Sequence, residues 1–281
     1  MRFYTLRVVL TATAVLLFLL QLLLRFDPGV RAARPQAAAS TPDLTGIWAP
    51  SRLPNGDLPS NFSPDAPPPM LPWAVKRCQL VGCGTGPQGR ANDDNMDPYL
   101  TSCAPFGFPR LMYHVEPFEI LQSKGRVLML FDTGNTLRQI WTDGRGHTPD
   151  LDSSWMGEAI GHWEGDTLVA DTIGLNDKTW LDTAGHPHSD ALHVTERMRR
   201  VDHDTLEDTL TFDDPKTYSK TWSSKVIYKL HPEWSLREDI VCEDRILMDL
   251  KAKKDKVFPY QPYPMHFPVE AIPLPDVANV K

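Results

Sequence analysis

The sequence predicts an all-β protein, an antiparallel up-and-down meander closing into a barrel, preceded by an N-terminal transmembrane anchor. Three observations predict it. After Pro117 the chain breaks into short runs of alternating polarity separated by Gly, Asn and Asp turns, the pattern of strands in hairpin succession. No segment with helical periodicity stands out beyond the first 25 residues. Residues Val8 to Leu24 form an uncharged apolar run, which at about 1.5 Å rise per residue just spans a bilayer core.

The N-terminal run is preceded by Arg2 and Arg7 and followed by Arg25, Asp27, Arg31 and Arg34 before any small-residue cleavage site. An uncleaved anchor over 1–25 is the first expectation, with a cleaved signal peptide as the alternative. Charges on both flanks leave its orientation open. An Ala-, Arg- and Pro-rich linker follows over 26–42, then one barrel domain over 43–250 and an extended Pro-rich tail over 251–281. With 41% hydrophobic and 23% charged residues in 281, a single folded domain has ample core. A net charge of −7 leaves no basic face for reading phosphates, so no nucleic-acid partner is expected.

The four cysteines, Cys78, Cys83, Cys103 and Cys242, make no CxxC pair. An even count in an exported chain reads as disulfides, Cys78 with Cys83 as a local clip and Cys103 with Cys242 across the domain. Both would place the folded part in the periplasm or outside the cell. Four buried thiols are the alternative.

Residues 49–116 are too rich in Pro and Gly for regular elements, and the letters Gly84-Thr-Gly86-Pro-Gln-Gly89 lack the strand and helix that dinucleotide binding needs. Strands are expected at 118–122, 127–132, 136–141, 157–163, 167–173, 192–201, 205–212, 222–230 and 236–242, with residues 44–48 joining the sheet. Gly46-Ile47-Trp48 resembles the G-x-W that opens lipocalin barrels, which implies a lipocalin-like, calycin-type fold. The series DLTGIW (43–48), CAPFGFPR (103–110), TDGRGH (142–147), GHWEGDTLVADT (161–172) and HSDALHVTER (188–197) resembles an uncharacterised family of exported bacterial proteins. That resemblance covers most of 43–244 and implies no activity.

In a strict meander the connections 142–156, 174–191 and 213–221 share one end, opposite the short turns TGN, EGD and DHD. Long loops at one rim carry function more often than tight turns do. That rim would gather His147, Asp150, Asp152, Trp155, Asp177, Trp180, Asp182, His186, His188 and Asp190. Three readings stay open. His186 and His188 could hold a divalent ion with His147, Asp150 or Asp190. They could instead be acid-base groups oriented by Asp150 or Asp190, acting on a small apolar or aromatic molecule held by Trp155, Trp180, Asp152 and Asp182. Or the cluster could be structural, with no chemistry. No cofactor is favoured, and the oligomeric state is left open.

In LHVTERMRR, alternation puts Leu192, Val194, Glu196 and Met198 on the apolar face. Glu196 should therefore point inward, either as a catalytic carboxyl or paired with an arginine, for which Arg200 on the same face is the expected partner and Asp208 a neighbour. Nucleophile motifs such as GxSxG are absent. The expected protein is thus a tethered small-molecule-binding barrel with His and carboxylate chemistry, with a non-catalytic carrier or a structural envelope protein as alternatives.

Overall fold

The computed structural model describes residues 42–51, 67–85, 91–92 and 97–239. The expected anchor, the linker to 41, the tail from 251 and Cys242 lie outside these residues. Among those described, no helix is long and apolar enough to cross a membrane. Nine strands close a barrel in chain order. They are β1 (Gly46–Pro50), β2 (Phe118–Ser123), β3 (Arg126–Phe131), β4 (Thr136–Trp141), β5 (Glu158–Glu164), β6 (Thr167–Ile173), β7 (His193–Asp202), β8 (Thr205–Asp213) and β9 (Trp222–Leu230). Closure comes from β1, whose Trp48 pairs with Phe118 of β2 on one side and Leu230 of β9 on the other.

The ninth strand expected from the sequence, 236–242, is absent over its described part. Residues 236–239 run irregularly, and the turn after β3 pins them: Arg237 N donates to Asp132 Oδ1 (3.1 Å) and Asp239 N to Asn135 Oδ1 (3.1 Å). Losing that strand and keeping β1 leaves an odd number. A closed ring of an odd number of strands cannot alternate direction throughout, so one neighbouring pair must run parallel. That pair is β4 with β5, held by only two rungs, Ile140 to Ala159 and Trp141 to Ile160.

The strict antiparallel expectation is therefore corrected, and with it the two ends of the barrel. The connection 142–157 starts beside the turns after β2, β5 and β7 (the turn end) and crosses the outside to the other end (the loop end). There it meets the connections after β6 and β8, and the TGN turn after β3, which the sequence reading had put at the opposite end. Ser154 N donates to Gly174 O and Asn176 N to Ser154 O, both at 2.9 Å. Gly157 ends the crossover with φ +63, and a Cβ there would lie 2.5 Å from the Ile173 carbonyl oxygen, so only glycine fits.

Helices, unexpected from the sequence, occur in the Pro/Gly-rich segment: α1 (Pro72–Val81) and the single turn α2 (Pro98–Ser102). Each starts with proline in its first turn, where a missing N–H costs nothing, and ends in a left-handed residue, Gly82 for α1. Helix α1 packs at the loop end, where Leu71 N donates to Thr217 O (2.8 Å) and Trp73 Nε1 to Lys216 O (2.7 Å).

The alternate strand residues that face inward build one continuous core, which includes Trp48, Phe118, Met129, Ile140, Leu168, Val194, Leu210 and Tyr228, joined by Phe108 from the segment before β2. A fully buried ion pair is set within it, as described below. At the turn end Arg200 lies with its guanidinium 5.2 Å from the Trp48 ring centre and donates to His203 O and Asp43 O.

Candidate functional site

The connection after β6 folds back as a plug over the loop end. Trp180, Leu181, Asp182, His186, His188 and Ser189 are all buried. Leu181 N closes the plug on His186 O (2.8 Å). Gly84 N donates to Ala184 O and Ala91 N to Thr183 O, which joins the plug to the segment after α1. On its far side Asp214 accepts from Ser189 N (2.8 Å) and Ser189 Oγ (2.6 Å), and Tyr218 Oη donates to Pro187 O (2.7 Å).

The two histidines of His186-Pro187-His188 do different things. Asp182 accepts from Gly185 N, His186 N and His186 Nδ1 (2.8 Å), so this carboxylate, rather than Asp150 or Asp190, orients His186. His188 donates from Nδ1 to Ser189 O (3.2 Å), and its Nε2 is buried without a hydrogen-bond partner. Burial holds the His188 imidazole below its ordinary pKa, against the opposing hydrogen bond to Ser189 and the charges of Asp214 and Asp177. Asp190 is exposed and pairs with Lys216 Nζ (2.7 Å). Asp150 and Asp152 are exposed on the crossover, and Trp155 is half-buried with its carbonyl accepting from Phe108 N. Trp180 packs on Val81 and Ala91, with the Arg110 guanidinium 5.1 Å from its ring centre.

His147 is not with these groups. It lies on the outer wall between Glu158 (Nδ1, 3.0 Å) and Asp171 (Nε2, 3.0 Å), and Asp171 also receives His193. Burial of Asp171 opposes its ionisation, but the hydrogen bonds from His193 and His147 outweigh it and lower its pKa. Thr148 hydrogen bonds are the main cause that lowers the pKa of Glu158. These contacts staple the crossover to β5 and β6, and Asp171 links β6 to β7 through His193.

Glu196 does point inward. Its partner is Arg138 of β4, through Nη1 on Oε1 (2.8 Å) and Nη2 on Oε2, with side chains 1% exposed on both sides. Arg138 also donates to Thr172 Oγ1 (3.1 Å), and its guanidinium lies 3.8 Å from the centre of the Phe108 ring. Arg200 is four residues further along β7, about 13 Å away at strand spacing, which is why it does not reach Glu196. Asp208 faces Glu196 beyond the reach of a well-formed hydrogen bond. Burial first, and then the charge of Glu196, hold the Asp208 carboxyl well above its ordinary pKa despite Arg138.

Beside the plug, at the same end, lies a cavity of about 350 Å³ that the sequence reading missed. Tyr99 and Phe106 form its apolar wall, with ring centres 4.0 Å apart, and the Phe106 ring meets His114 edge-on. Glu116, Asp132, Glu238 and Asp239 bring carboxylates to it, against one arginine, Arg237, which stands 3.6 Å from Glu116 and 3.7 Å from Asp132. Asp132 is 5% exposed, and its Oδ2 has no hydrogen-bond partner. Thr133 Oγ1 and His114 Nδ1 are 2.8 Å apart, and Glu116 N donates to the same nitrogen at 3.4 Å. Because Nδ1 accepts from that amide, the Thr133 hydroxyl is the donor and its proton points at the imidazole.

The Cys78 to Cys83 disulfide forms as expected, and no described cysteine is free. Cys103 is oxidised too, and its expected partner Cys242 lies outside the described residues. Among the described residues, the group whose ligand atoms converge closely enough for an ion is Cys78, Cys83 and His186, all within 4.8 Å of one another. It is not the His186 and His188 pair. Compared with family models, curated protein sequences and solved structures, the chain matches none, so its functional reading rests on its own geometry.

Proposed function

We propose that this protein is an exported, membrane-tethered barrel of lipocalin-like type that binds a small molecule at its loop end. The apolar run near the N-terminus and the Cys78 to Cys83 disulfide support export into an oxidising compartment. The barrel interior is filled by its own core and the Arg138 to Glu196 pair, so the ligand sits in the cavity beside the plug. Its volume falls in the range of small-molecule sites, about 300–1,000 Å³.

One observation carries the ligand's chemistry: a buried carboxylate, Asp132, whose Oδ2 has no hydrogen bond and only the Arg237 guanidinium at 3.7 Å to meet its charge, lining the same cavity as an aromatic wall. Such a site favours a compact apolar or aromatic body bearing a protonated amine, which meets the carboxylate through a charge-assisted hydrogen bond and the rings through its face. A ligand-observed screen of small aliphatic and aromatic amines against carboxylic acids of the same skeleton tests this. Amines are expected to bind and acids not. Asp132→Asn should weaken the best amine about 10–150-fold, the worth of one charge-assisted hydrogen bond. Equal binding of acids, or an unchanged affinity in Asp132→Asn, overturns the reading.

A second reading is favoured by the Thr133 to His114 hydrogen bond. An imidazole that accepts a hydrogen bond from a hydroxyl inside a cavity is a general base in position, and in this reading the bound molecule leaves altered rather than intact. Recovering the ligand after incubation and comparing it with the ligand from His114→Gln separates enzyme from carrier.

A further inference from the structure

We propose that Cys78, Cys83 and His186 form a redox-gated zinc site: the disulfide closes it, and reduction opens it to one Zn²⁺ ion. The three side chains already converge, with a nitrogen of His186 and both sulfurs within 4.8 Å of one another. Two thiolates and one imidazole are a donor set zinc accepts, with the fourth tetrahedral position left to water. Asp182 accepts from His186 Nδ1 at 2.8 Å, which fixes the ring and leaves Nε2 as the nitrogen with the lone pair. A carboxylate behind a metal-binding histidine is the usual device for orienting the ring and raising its basicity.

The arrangement does not depend on the S–S bond. Cys83 N donates to Cys78 O (2.9 Å) and Gly82 N to Gln79 O (3.2 Å), so the backbone closes the loop by itself. The plug is tied to the same segment through Gly84 N to Ala184 O and Ala91 N to Thr183 O, and Asn92 N on Val81 O holds that second tie against the end of α1. Gly185 has φ +95, and a Cβ there would lie 2.8 Å from Val81 Cγ2 and 3.7 Å from Cys83 Sγ, so the chain bearing His186 is pressed close to the sulfurs. Charge also favours the ion. Cys78 and His186 are 6% and 9% exposed, a poor setting for two bare thiolates but a good one for the neutral set of Zn²⁺ and two thiolates.

The step balances with a dithiol as reductant. The dithiol gives two electrons and two protons to the Cys78 to Cys83 bond and becomes a disulfide. Zn²⁺ then displaces those two protons from the new thiols as it binds. A disulfide as oxidant runs the sequence in reverse: it takes the two electrons from the zinc thiolates and two protons from water, becomes a dithiol, and the re-formed Cys78 to Cys83 bond expels the ion.

The test uses the full chain, oxidised or reduced with a phosphine, and titrated without oxygen with Zn²⁺ and with Co²⁺ as the spectroscopic probe. The oxidised chain is expected to take up neither ion. The reduced chain should take up one equivalent, with a thiolate-to-cobalt charge-transfer band. Cys83→Ser should abolish the band and the uptake, and Asp182→Asn should weaken Zn²⁺ binding about 10–100-fold. Repeating the titration in a Cys103→Ser, Cys242→Ser background makes this the only reducible pair. No uptake by that folded, reduced chain overturns the proposal, as does undiminished uptake in Cys83→Ser. Loss of the β-sheet circular dichroism on reduction of that background overturns it equally, because the backbone ties must outlast the disulfide.

Discussion

Replacing Arg138 by methionine would leave Glu196 and Asp208 facing each other inside the barrel with no cation between them. Arg138 and Glu196 are each 1% exposed, so neither charge is screened by water. Asp208 already rests above its ordinary pKa, and without Arg138 the Glu196 carboxyl has one low-energy course, to take up a proton. Holding a glutamate protonated at pH 7, against an ordinary value near 4.3, costs about 3.7 kcal/mol at about 1.36 kcal/mol per pH unit. The figure agrees with the roughly 3–5 kcal/mol measured when buried pairs lose one partner. At pH 5 the same arithmetic leaves about 1 kcal/mol. The melting temperature of Arg138→Met should therefore fall by about 7–15 °C at pH 7 but only about 2–4 °C from this source at pH 5. Loss of the Phe108 contact adds an offset that does not vary with pH, so the difference between the two pH values is the diagnostic quantity. In Arg138→Met with Glu196→Gln the difference should vanish. A loss in Arg138→Met that is the same at both pH values, or below about 1 kcal/mol at pH 7, would refute the reasoning.

Three further outcomes follow from the structure. His188 is buried with its pKa held down, so below the ordinary histidine value near 6.5 the unfolded chain binds a proton that the native chain refuses. Stability should fall as pH drops from 7 to 5, and His188→Gln, compared with the wild type by urea unfolding, should flatten that fall; an unchanged slope would show that this imidazole is protonated in the fold. The lowered carboxylates Asp171 and Glu158 act in a separate window, because their stabilisation is lost only as pH falls below about 4. Gly157→Ala should lose at least about 1–2 kcal/mol from its left-handed backbone alone, before the clash with Ile173 O is counted. Thermal melting would show this as a drop of some 2–4 °C per kcal/mol, and an unchanged melting point would mean that the crossover enters β5 by another path.

All nine strands of the barrel can be read from the sequence, β1 as the run 44–48 and the other eight as the meander, because alternation and turn residues are local signals; only the expected strand 236–242 fails. What it hides is set by closure. The run LREDIVC has the polarity of a strand, yet its described part is held by side chains of the Asp132 to Asn135 turn, a contact no local pattern encodes. Removing that one strand changed the parity of the ring, which moved the TGN turn and the cavity beside it to the loop end. Arg138 was hidden for a different reason. In TLRQIW the apolar residues Leu137 and Trp141 fall on one face and Ile140 on the other, so polarity does not decide which face is inside. The barrel buries the face with Arg138 and leaves Leu137 52% exposed, since Arg138 can meet Glu196 there. The inward Glu196 was legible because Val194 and Met198 flank it on the same face. Residue type alone marks the buried histidines of the plug as candidates. Their division of labour depends on Asp182 and Ser189 and needed three dimensions.

The parallel junction of β4 and β5 gives the wall a seam. Every other pair of neighbouring strands is joined by three or more rungs, but this one has two, and its connection lies exposed across the outside instead of turning tightly between its strands. The cylinder should therefore part along that line before any other, with residues 142–157 as the strap that limits how far the lips separate. A chain cut within that strap would still hold two sheets, β1 to β4 and β5 to β9, that share the long ladder of neither and meet again only at β1 with β9. Expressed as two fragments, they form a natural pair for reassembly, and amide exchange in Ile140 and Trp141 should run ahead of the rest of the wall.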